Sequence, residues 1–203
     1  MKIICVGRNY AQHAREMGSE LPEEPVLFLK PDSAVLLKRQ PLFLPSFSSE
    51  VHHEVELLVK INRVGKHIEE HFAHRYYDEV SLGIDFTARD VQAELKKKGL
   101  PWEKAKAFDG SAAIGQWVSK SEIAPIPEVS FRLEKNGSIV QKGTGAEMIF
   151  SVDRLIAYIS RYFTLKKGDV LFTGTPEGVG PVSADDRLKA FLGDQCLLEL
   201  LVK

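Results

Sequence analysis

The chain has 203 residues, 44% of them hydrophobic, and its 27 basic and 28 acidic residues leave a formal net charge of −1. A charge balance this even gives no general attraction to nucleic acid or to an anionic membrane, so we expect neither as a partner. No stretch rich in proline, serine or glycine divides the chain, which favours a single domain over residues 1–203.

The cysteines and the N-terminal residues favour a cytoplasmic protein. Cys5 and Cys196 each lie in an apolar run, so we expect two buried free thiols in a reducing compartment. The first apolar run stops at residues 7–9, too early for the core of a signal peptide. No apolar stretch approaches the length of a membrane span.

Short strands outnumber helices along the predicted chain. Hydrophobic periodicity and turn residues predict strands over 1–6, 26–29, 34–37, 54–61 and 80–86, and helices over 9–17, within 65–80 and over 88–98. The second half is predicted to hold a hairpin of 131–135 and 138–142, a helix over 152–163, and strands over 170–173 and 196–202. This pattern favours a mixed, β-rich α+β fold over a regular βαβ array.

Three carboxylates stand out within these elements. Glu54 and Glu56 lie two positions apart on the strand over 54–61, so their side chains share a face with Cα atoms roughly 6.5–7 Å apart. Asp85 ends an apolar run and directly precedes a predicted helix. A divalent cation would relieve the repulsion between such groups, and carboxylate ligands without cysteine favour Mg²⁺ or Mn²⁺ over zinc. A solvated strand face carrying Glu54 and Glu56 is the alternative that this spacing leaves open.

Seven segments, taken together and in this order, resemble a known family. They are GRNYAQH at 7–13, FLKP at 28–31, HEVE at 53–56, DFTARD at 85–90, KKKGLPW at 96–102, KAFD at 106–109 and TGTPEGVG at 173–180. The chain resembles the fumarylacetoacetate hydrolase family, and within it the short acylpyruvase-like members. The resemblance runs over essentially the whole chain, although each motif alone is weak.

The resemblance carries specific expectations. It implies a mixed β-roll fold, a homodimer, and a single catalytic domain whose first 20 residues include a strand and a lid helix. It implies a small 2-oxo acid as substrate and Mg²⁺ or Mn²⁺ as cofactor. It also assigns roles: metal ligands Glu54, Glu56 and Asp85; a catalytic pair His13 and Glu16; and Lys106, Arg89, Gln92 and Thr175 facing the substrate, with Lys106 stabilising negative charge.

Family chemistry passes through an enolate, which leaves several reactions open. We predict hydrolysis of the C–C bond of acylpyruvates to pyruvate and a carboxylate, because His13 and Glu16 are three apart and would share a helix face suited to activating water. Without the resemblance, these two residues would be a surface helix turn. The alternatives are decarboxylation or tautomerisation of oxaloacetate, or isomerisation of a hydroxymuconate-type dioate (2-hydroxyhepta-2,4-diene-1,7-dioate), at the same site.

Other polar groups are interpreted as ordinary. His67 and His71 are four residues apart, but Ile68 stands where the metalloprotease pattern needs glutamate, so we expect exposed side chains without zinc. We expect His53 either to hydrogen-bond a ligand carboxylate or to fill a packing role. The lysines at 96–98 are interpreted as a solvated helix end.

Overall fold

The computed structural model describes residues 1–16, 18 and 20–203. Fourteen strands within these residues are β1 (Ile3–Gly7), β2 (Val26–Lys30), β3 (Val51–His53), β4 (Val55–Ile61), β5 (Tyr77–Asp85), β6 (Thr87–Ala88), β7 (Ala112–Ile114), β8 (Val118–Ser119), β9 (Ser130–Lys135), β10 (Ser138–Thr144), β11 (Val170–Phe172), β12 (Gly180–Pro181), β13 (Arg187–Leu192) and β14 (Gln195–Leu201). The α-helices are α1 (Ala11–Glu16), α2 (Glu70–Ala73), α3 (Arg89–Lys97), α4 (Glu103–Lys106) and α5 (Val152–Tyr162). This content confirms the β-rich α+β class.

A seven-stranded sheet forms the centre of the fold. Its order is β2-β1-β11-β4-β5-β7, with β8 also paired to β5, and β1 and β11 run parallel while the other pairs are antiparallel. A four-stranded sheet has the order β10-β9-β13-β14, and a three-stranded sheet has the order β12-β3-β6. Strand β4 lies between β11 and β5, and residues 55–59 are buried on both of its faces.

Two predicted elements form for the local reasons expected. The hairpin of β9 and β10 turns at Asn136 and Gly137, which adopt φ values of 54° and 83°, as an Asn-Gly turn requires. Helix α5 begins after Ser151, whose hydroxyl accepts a hydrogen bond from the backbone N–H of Arg154. Its apolar stripe then packs into the core through buried residues such as Leu155.

Several predicted elements are wrong or shorter than expected. No strand forms over 34–37, because Pro31 starts a 3₁₀ turn at Asp32–Ala34 and only Val35 then makes an isolated bridge. The helix within 65–80 is a single turn, since β5 already begins at residue 77. The predicted helix over 9–17 is α1, and its last predicted residue, Met17, lies outside the described residues.

The two cysteines have different environments. Cys5 is buried in β1, as predicted, whereas Cys196 is exposed and the prediction for it is wrong. Strand β14 is the edge of its sheet, and Cys196 lies on its outer face while the next residue, Leu197, is buried. Among the α-helices of the described residues, none is long and apolar enough to cross a membrane.

Candidate active site

The strand pair β4–β5 brings the predicted carboxylates together. In the ladder, Glu56 is opposite Gly83, and the backbone N–H of Asp85 donates to the carbonyl of Glu54 at 2.9 Å. Carboxylate oxygens of Glu54, Glu56 and Asp85 all lie within 4.8 Å of one another. The three side chains belong to residues that are only 5%, 2% and 0% exposed, so the solvated-face alternative is wrong.

Three cationic side chains contact this cluster. Lys106 Nζ lies 2.8 Å from Glu54 Oε2 and 2.8 Å from Asp85 Oδ2. Arg89 Nη2 lies 2.5 Å from Glu54 Oε1, and Lys30 Nζ lies 2.8 Å from Asp85 Oδ1. These pairs compensate the charges of Glu54 and Asp85 in a region that water barely reaches.

Lys30 was not among the predicted site residues. Its ammonium is fully buried and also donates to the carbonyl and hydroxyl of Ser111 at 3.1 and 3.0 Å and to the carbonyl of Lys106. The available signal was a lysine at the end of an apolar strand, directly before a proline. A lysine there is fully buried only when paired.

Burial and the neighbouring charges shift the pKa values of Glu54 and Glu56 in opposite directions. Burial alone would raise the pKa of Glu54, but Lys106 and Arg89 lower it well below its usual value. Burial, followed by the charges of Asp85 and Glu54, raises the pKa of Glu56 well above its usual value. In the described part of the chain Glu56 has no ion pair. The cluster therefore holds one buried carboxylate that lacks a counter-charge.

The donor set of the cluster fits a hard divalent cation. It offers carboxylate oxygens alone, which magnesium and manganese prefer, and a cation would stabilise the charged form of Glu56 that burial and its acidic neighbours disfavour. Within the residues that the structure describes, this trio is the single group of at least three acidic, histidine or cysteine side chains close enough to share an ion. The side chains of His67 and His71 are exposed, as expected.

The turn after β11 contacts the carboxylate of Glu56 through a backbone N–H. Gly174 has φ +102° and donates its N–H to Glu56 Oε2 at 2.6 Å. A Cβ at this position would lie 2.7 Å from Asn9 Cβ, so only glycine fits. The next residue, Thr175, lines the pocket, and its hydroxyl donates to the Val55 carbonyl at 2.8 Å. The predicted tight turn thus places Thr175 beside the carboxylates.

His13 on α1 lines the same pocket, and exposed Glu16 lies beside it on the helix. His13 Nδ1 is 3.4 Å from Glu16 Oε2, and the Glu16 carboxylate also accepts from the N–H of Gly178 at 3.3 Å. Burial lowers the pKa of His13, although the charge of Glu54 and the bond to Glu16 act against it. His13 is therefore neutral at neutral pH and able to accept a proton.

The remaining predicted residues fall into two groups. Arg89 and Gln92 line the pocket and are joined by a hydrogen bond of 2.7 Å from Arg89 Nη1 to Gln92 Oε1. His53 does not hydrogen-bond a carboxylate of the trio: its Nδ1 is 2.9 Å from Gln141 Oε1, so that expectation is wrong and the packing role holds. Gln141, which the sequence reasoning missed, is buried and also holds the Thr175 hydroxyl at 2.9 Å.

The three carboxylates, His13 and Lys106 line one pocket, which is partly open to solvent. Carboxylates lie at its inner end, the imidazole of His13 on one wall, and the ammonium of Lys106 between two of the acids. Such a pocket suits a small acid bound through a cation, with a neutral base beside it.

Comparison with known proteins matches nearly the whole chain to one family and to similar enzymes. The family model described as the C-terminal part of fumarylacetoacetate (FAA) hydrolase matches residues 2–200. Oxaloacetate tautomerase YcgM of Escherichia coli (strain K12) is 48% identical over 188 residues, which is 92% of this chain and 86% of that protein. The mitochondrial oxaloacetate tautomerase FAHD1 of Bos taurus is 45% identical over 188 residues, 93% of this chain and 85% of that protein.

A solved structure is similar to this chain in both fold and sequence. Fumarylpyruvate hydrolase from Pseudomonas aeruginosa, in complex with Mn²⁺ and pyruvate, superposes with a TM-score of 0.94 at 37% identity. The match covers 100% of this chain and 89% of that one. That complex and the acidic trio together indicate a divalent cation at the candidate site.

Proposed function

This chain belongs to the fumarylacetoacetate hydrolase family, with the mixed β-roll that the sequence predicted, and from that premise we propose that it is a divalent-metal-dependent oxaloacetate tautomerase. The observation that carries the proposal is the buried trio of Glu54, Glu56 and Asp85, in which Glu56 has no cationic side chain as a partner among the described residues. The choice of reaction follows the relatives, which favour the oxaloacetate alternative over acylpyruvate hydrolysis as the main activity.

Each part of the pocket has a task in this reaction. Glu54, Glu56 and Asp85 would hold Mg²⁺ or Mn²⁺. The chemistry that a bound divalent cation supplies here is polarisation of the 2-oxo carbonyl, which acidifies the hydrogens on the neighbouring carbon. Lys106, already held by two of the acids, keeps positive charge beside the carbonyl oxygen while negative charge develops there.

Proton transfer is assigned to His13. Tautomerisation moves one proton between C3 and the 2-oxo oxygen, so a single neutral base that accepts it at one atom and returns it at the other suffices. The Nδ1 of His13 faces Glu16, which leaves Nε2 for the substrate, and the Glu16 carboxylate stabilises the imidazolium that forms. Arg89, Gln92 and Thr175 would position the 2-oxo acid.

Hydrolysis of acylpyruvates is the second candidate. The same His13–Glu16 pair could activate water for attack on an acyl carbonyl, and the Pseudomonas aeruginosa relative is a hydrolase seen with pyruvate, the product class of such a cleavage. Assembly as a homodimer and location in the cytoplasm stay predictions.

The test is enol–keto conversion of oxaloacetate, followed by ultraviolet absorbance of the enol. We expect metal-depleted protein to be inactive and Mg²⁺ or Mn²⁺ to restore the rate. Equal rates with and without chelator would reject metal dependence. A panel that adds acetylpyruvate and a hydroxymuconate-type dioate then ranks the reactions by kcat/KM, and a clear preference for acetylpyruvate would replace tautomerisation by hydrolysis.

His13→Ala separates the proton-transfer role from metal binding. We expect its tautomerase rate to fall by roughly 100-fold or more, with Mn²⁺ affinity unchanged, because general acid–base catalysis contributes on that order. Arg15→Ala, on the same helix but outside the pocket lining, is the matched control. Full tautomerase activity in His13→Ala would refute the assignment.

A further inference from the structure

Two cations at the pocket mouth have no partner in the cluster. The pocket is lined by Arg8 and Lys96 in addition to the carboxylates. Lys30, Arg89 and Lys106 are each committed to an acid of the trio, as the ion pairs above describe. By contrast, the side chains of Arg8 and Lys96 make neither an ion pair nor a hydrogen bond with any residue the structure describes.

The backbone of Arg8 is unusual. It follows β1 directly and has φ +60°, in the left-handed region that non-glycine residues seldom adopt. A glycine would take this conformation at no steric cost. Strained residues of this kind concentrate where a side chain must be aimed at a site, and Arg8 is half-buried at the pocket.

Lys96 differs from the two lysines that follow it. It lies one helical turn after Gln92 on α3, on the face that borders the pocket, and its Nζ is 5.4 Å from the centre of the Trp102 ring. Burial, followed by the charges of Arg89 and Arg8, lowers the pKa of Lys96, as expected for a cation that faces other cations. Lys96 is exposed, in agreement with its interpretation as part of a solvated helix end, but unlike Lys97 and Lys98 it also lines the pocket, which the sequence did not predict.

We propose that Arg8 and Lys96 form a subsite for a second carboxylate, which makes the enzyme selective for 2-oxo dicarboxylates over 2-oxo monocarboxylates. The inference rests on the proposed function, in which the first carboxylate and the 2-oxo group occupy the acidic end of the pocket. An anion between Arg8 and Lys96 relieves the repulsion of the two cations and accepts charge-assisted hydrogen bonds from both. An uncharged acyl group would leave the charges of half-buried Arg8 and exposed Lys96 facing each other without an anion, which favours the dicarboxylate.

The test measures binding without turnover. Isothermal titration of the Mn²⁺-loaded protein compares 2-oxoglutarate, a stable 2-oxo dicarboxylate, with pyruvate, which lacks the second carboxylate. The variants are Lys96→Gln and Arg8→Asn, because asparagine tolerates the left-handed backbone better than other uncharged residues. Lys97→Gln removes the same charge from the same helix outside the pocket and is the matched control.

We expect each pocket variant to bind 2-oxoglutarate roughly tenfold more weakly, with pyruvate affinity held within about twofold, as for the loss of one charge-assisted contact. The Lys97→Gln protein should match the wild type. Equal weakening for both ligands, no weakening for either, or a wild type that does not prefer 2-oxoglutarate overturns the subsite.

The binding test and the activity test fail separately. Loss of the preference for 2-oxoglutarate in a protein that still tautomerises oxaloacetate overturns the subsite alone. A retained preference in a wild type that does not tautomerise oxaloacetate overturns the proposed reaction and leaves the dicarboxylate subsite in place.

Discussion

Replacement of Lys30 by methionine tests whether the buried charges of the site balance as described. Lys30 Nζ contacts Asp85 Oδ1 at 2.8 Å, and both side chains are 0% exposed. Removal of one partner from a buried ion pair costs about 3–5 kcal/mol. Asp85 keeps Lys106, at 2.8 Å from its other oxygen, so we expect a loss near the lower end, about 3 kcal/mol.

The loss of stability in Lys30→Met should be smaller when a divalent cation is bound. Methionine has a similar volume, so the lost charge dominates over any cavity. A divalent ion bound to Asp85 would replace part of the missing positive charge, and the Lys30→Met protein should bind Mn²⁺ more tightly than the wild type. Each tenfold gain in cation affinity returns about 1.4 kcal/mol at saturation.

The assay is urea unfolding by circular dichroism, in chelator and in saturating Mn²⁺. Lys203→Met is the matched control, because its pair with Asp185 has a distance of 2.6 Å but side chains that are 46% and 77% exposed. Exposed pairs contribute about 0–1 kcal/mol, with no dependence on the cation. A Lys30→Met protein within about 1 kcal/mol of the wild type in chelator would refute the charge reasoning.

Three further outcomes follow from the site. Glu56→Gln should lower Mn²⁺ affinity by more than roughly 100-fold in titration calorimetry, because it removes a carboxylate ligand. It should unfold in chelator no more easily than the wild type, because burial and the neighbouring acids raise the pKa of Glu56 and favour its protonated form, which glutamine resembles; easier unfolding would contradict this. Burial lowers the pKa of His13, so the acid limb of the kcat/KM–pH profile should fall below the ordinary histidine value of about 6.5, and a limb above it would argue against His13 as the base. Gly174→Ala would place a Cβ 2.7 Å from Asn9 Cβ at a residue whose φ is +102°. We expect the free energy of unfolding to fall by about 2 kcal/mol or more and Mn²⁺ binding to weaken. No change in either measurement would show that the turn is not rigid.

The sequence was most informative where local rules decide the structure. The two-residue spacing correctly predicted that the carboxylates of Glu54 and Glu56 lie together, although β4 begins only at Val55 and Glu54 directly precedes it. Asn136-Gly137 specified the turn of the hairpin. The burial of both glutamates could not be read from that spacing, because it depends on residues far along the chain that contact them, such as Lys106 at Glu54 and Gly174 at Glu56. It was the resemblance to the family that pointed to Glu54, Glu56 and Asp85 as one metal site and not as exposed side chains.

Long-range pairing produced what the sequence reasoning missed. Lys30 ends β2 and Asp85 ends β5, two strands that are separated by three others in the sheet, so no local sequence pattern predicts their contact. The apolar run at 34–37 satisfies a strand pattern without a continuous partner, and its Leu37 is exposed. The shortest strands, such as β8 (Val118–Ser119) and β12 (Gly180–Pro181), are set by their neighbours and carry too few residues for a period.

The carboxylates and the mouth cations come from different parts of the scaffold. Glu56 and Asp85 lie on the paired strands β4 and β5, and Glu54 directly precedes β4. By contrast, Arg8 follows β1 and Lys96 lies on helix α3. Substitution of Lys96, or of Arg8 by residues that tolerate its left-handed backbone, is therefore expected to leave the ladder that carries the carboxylates unchanged. A library restricted to those positions would sample new substrate tails on an unchanged reactive core, which makes this scaffold suited to retargeting by few mutations.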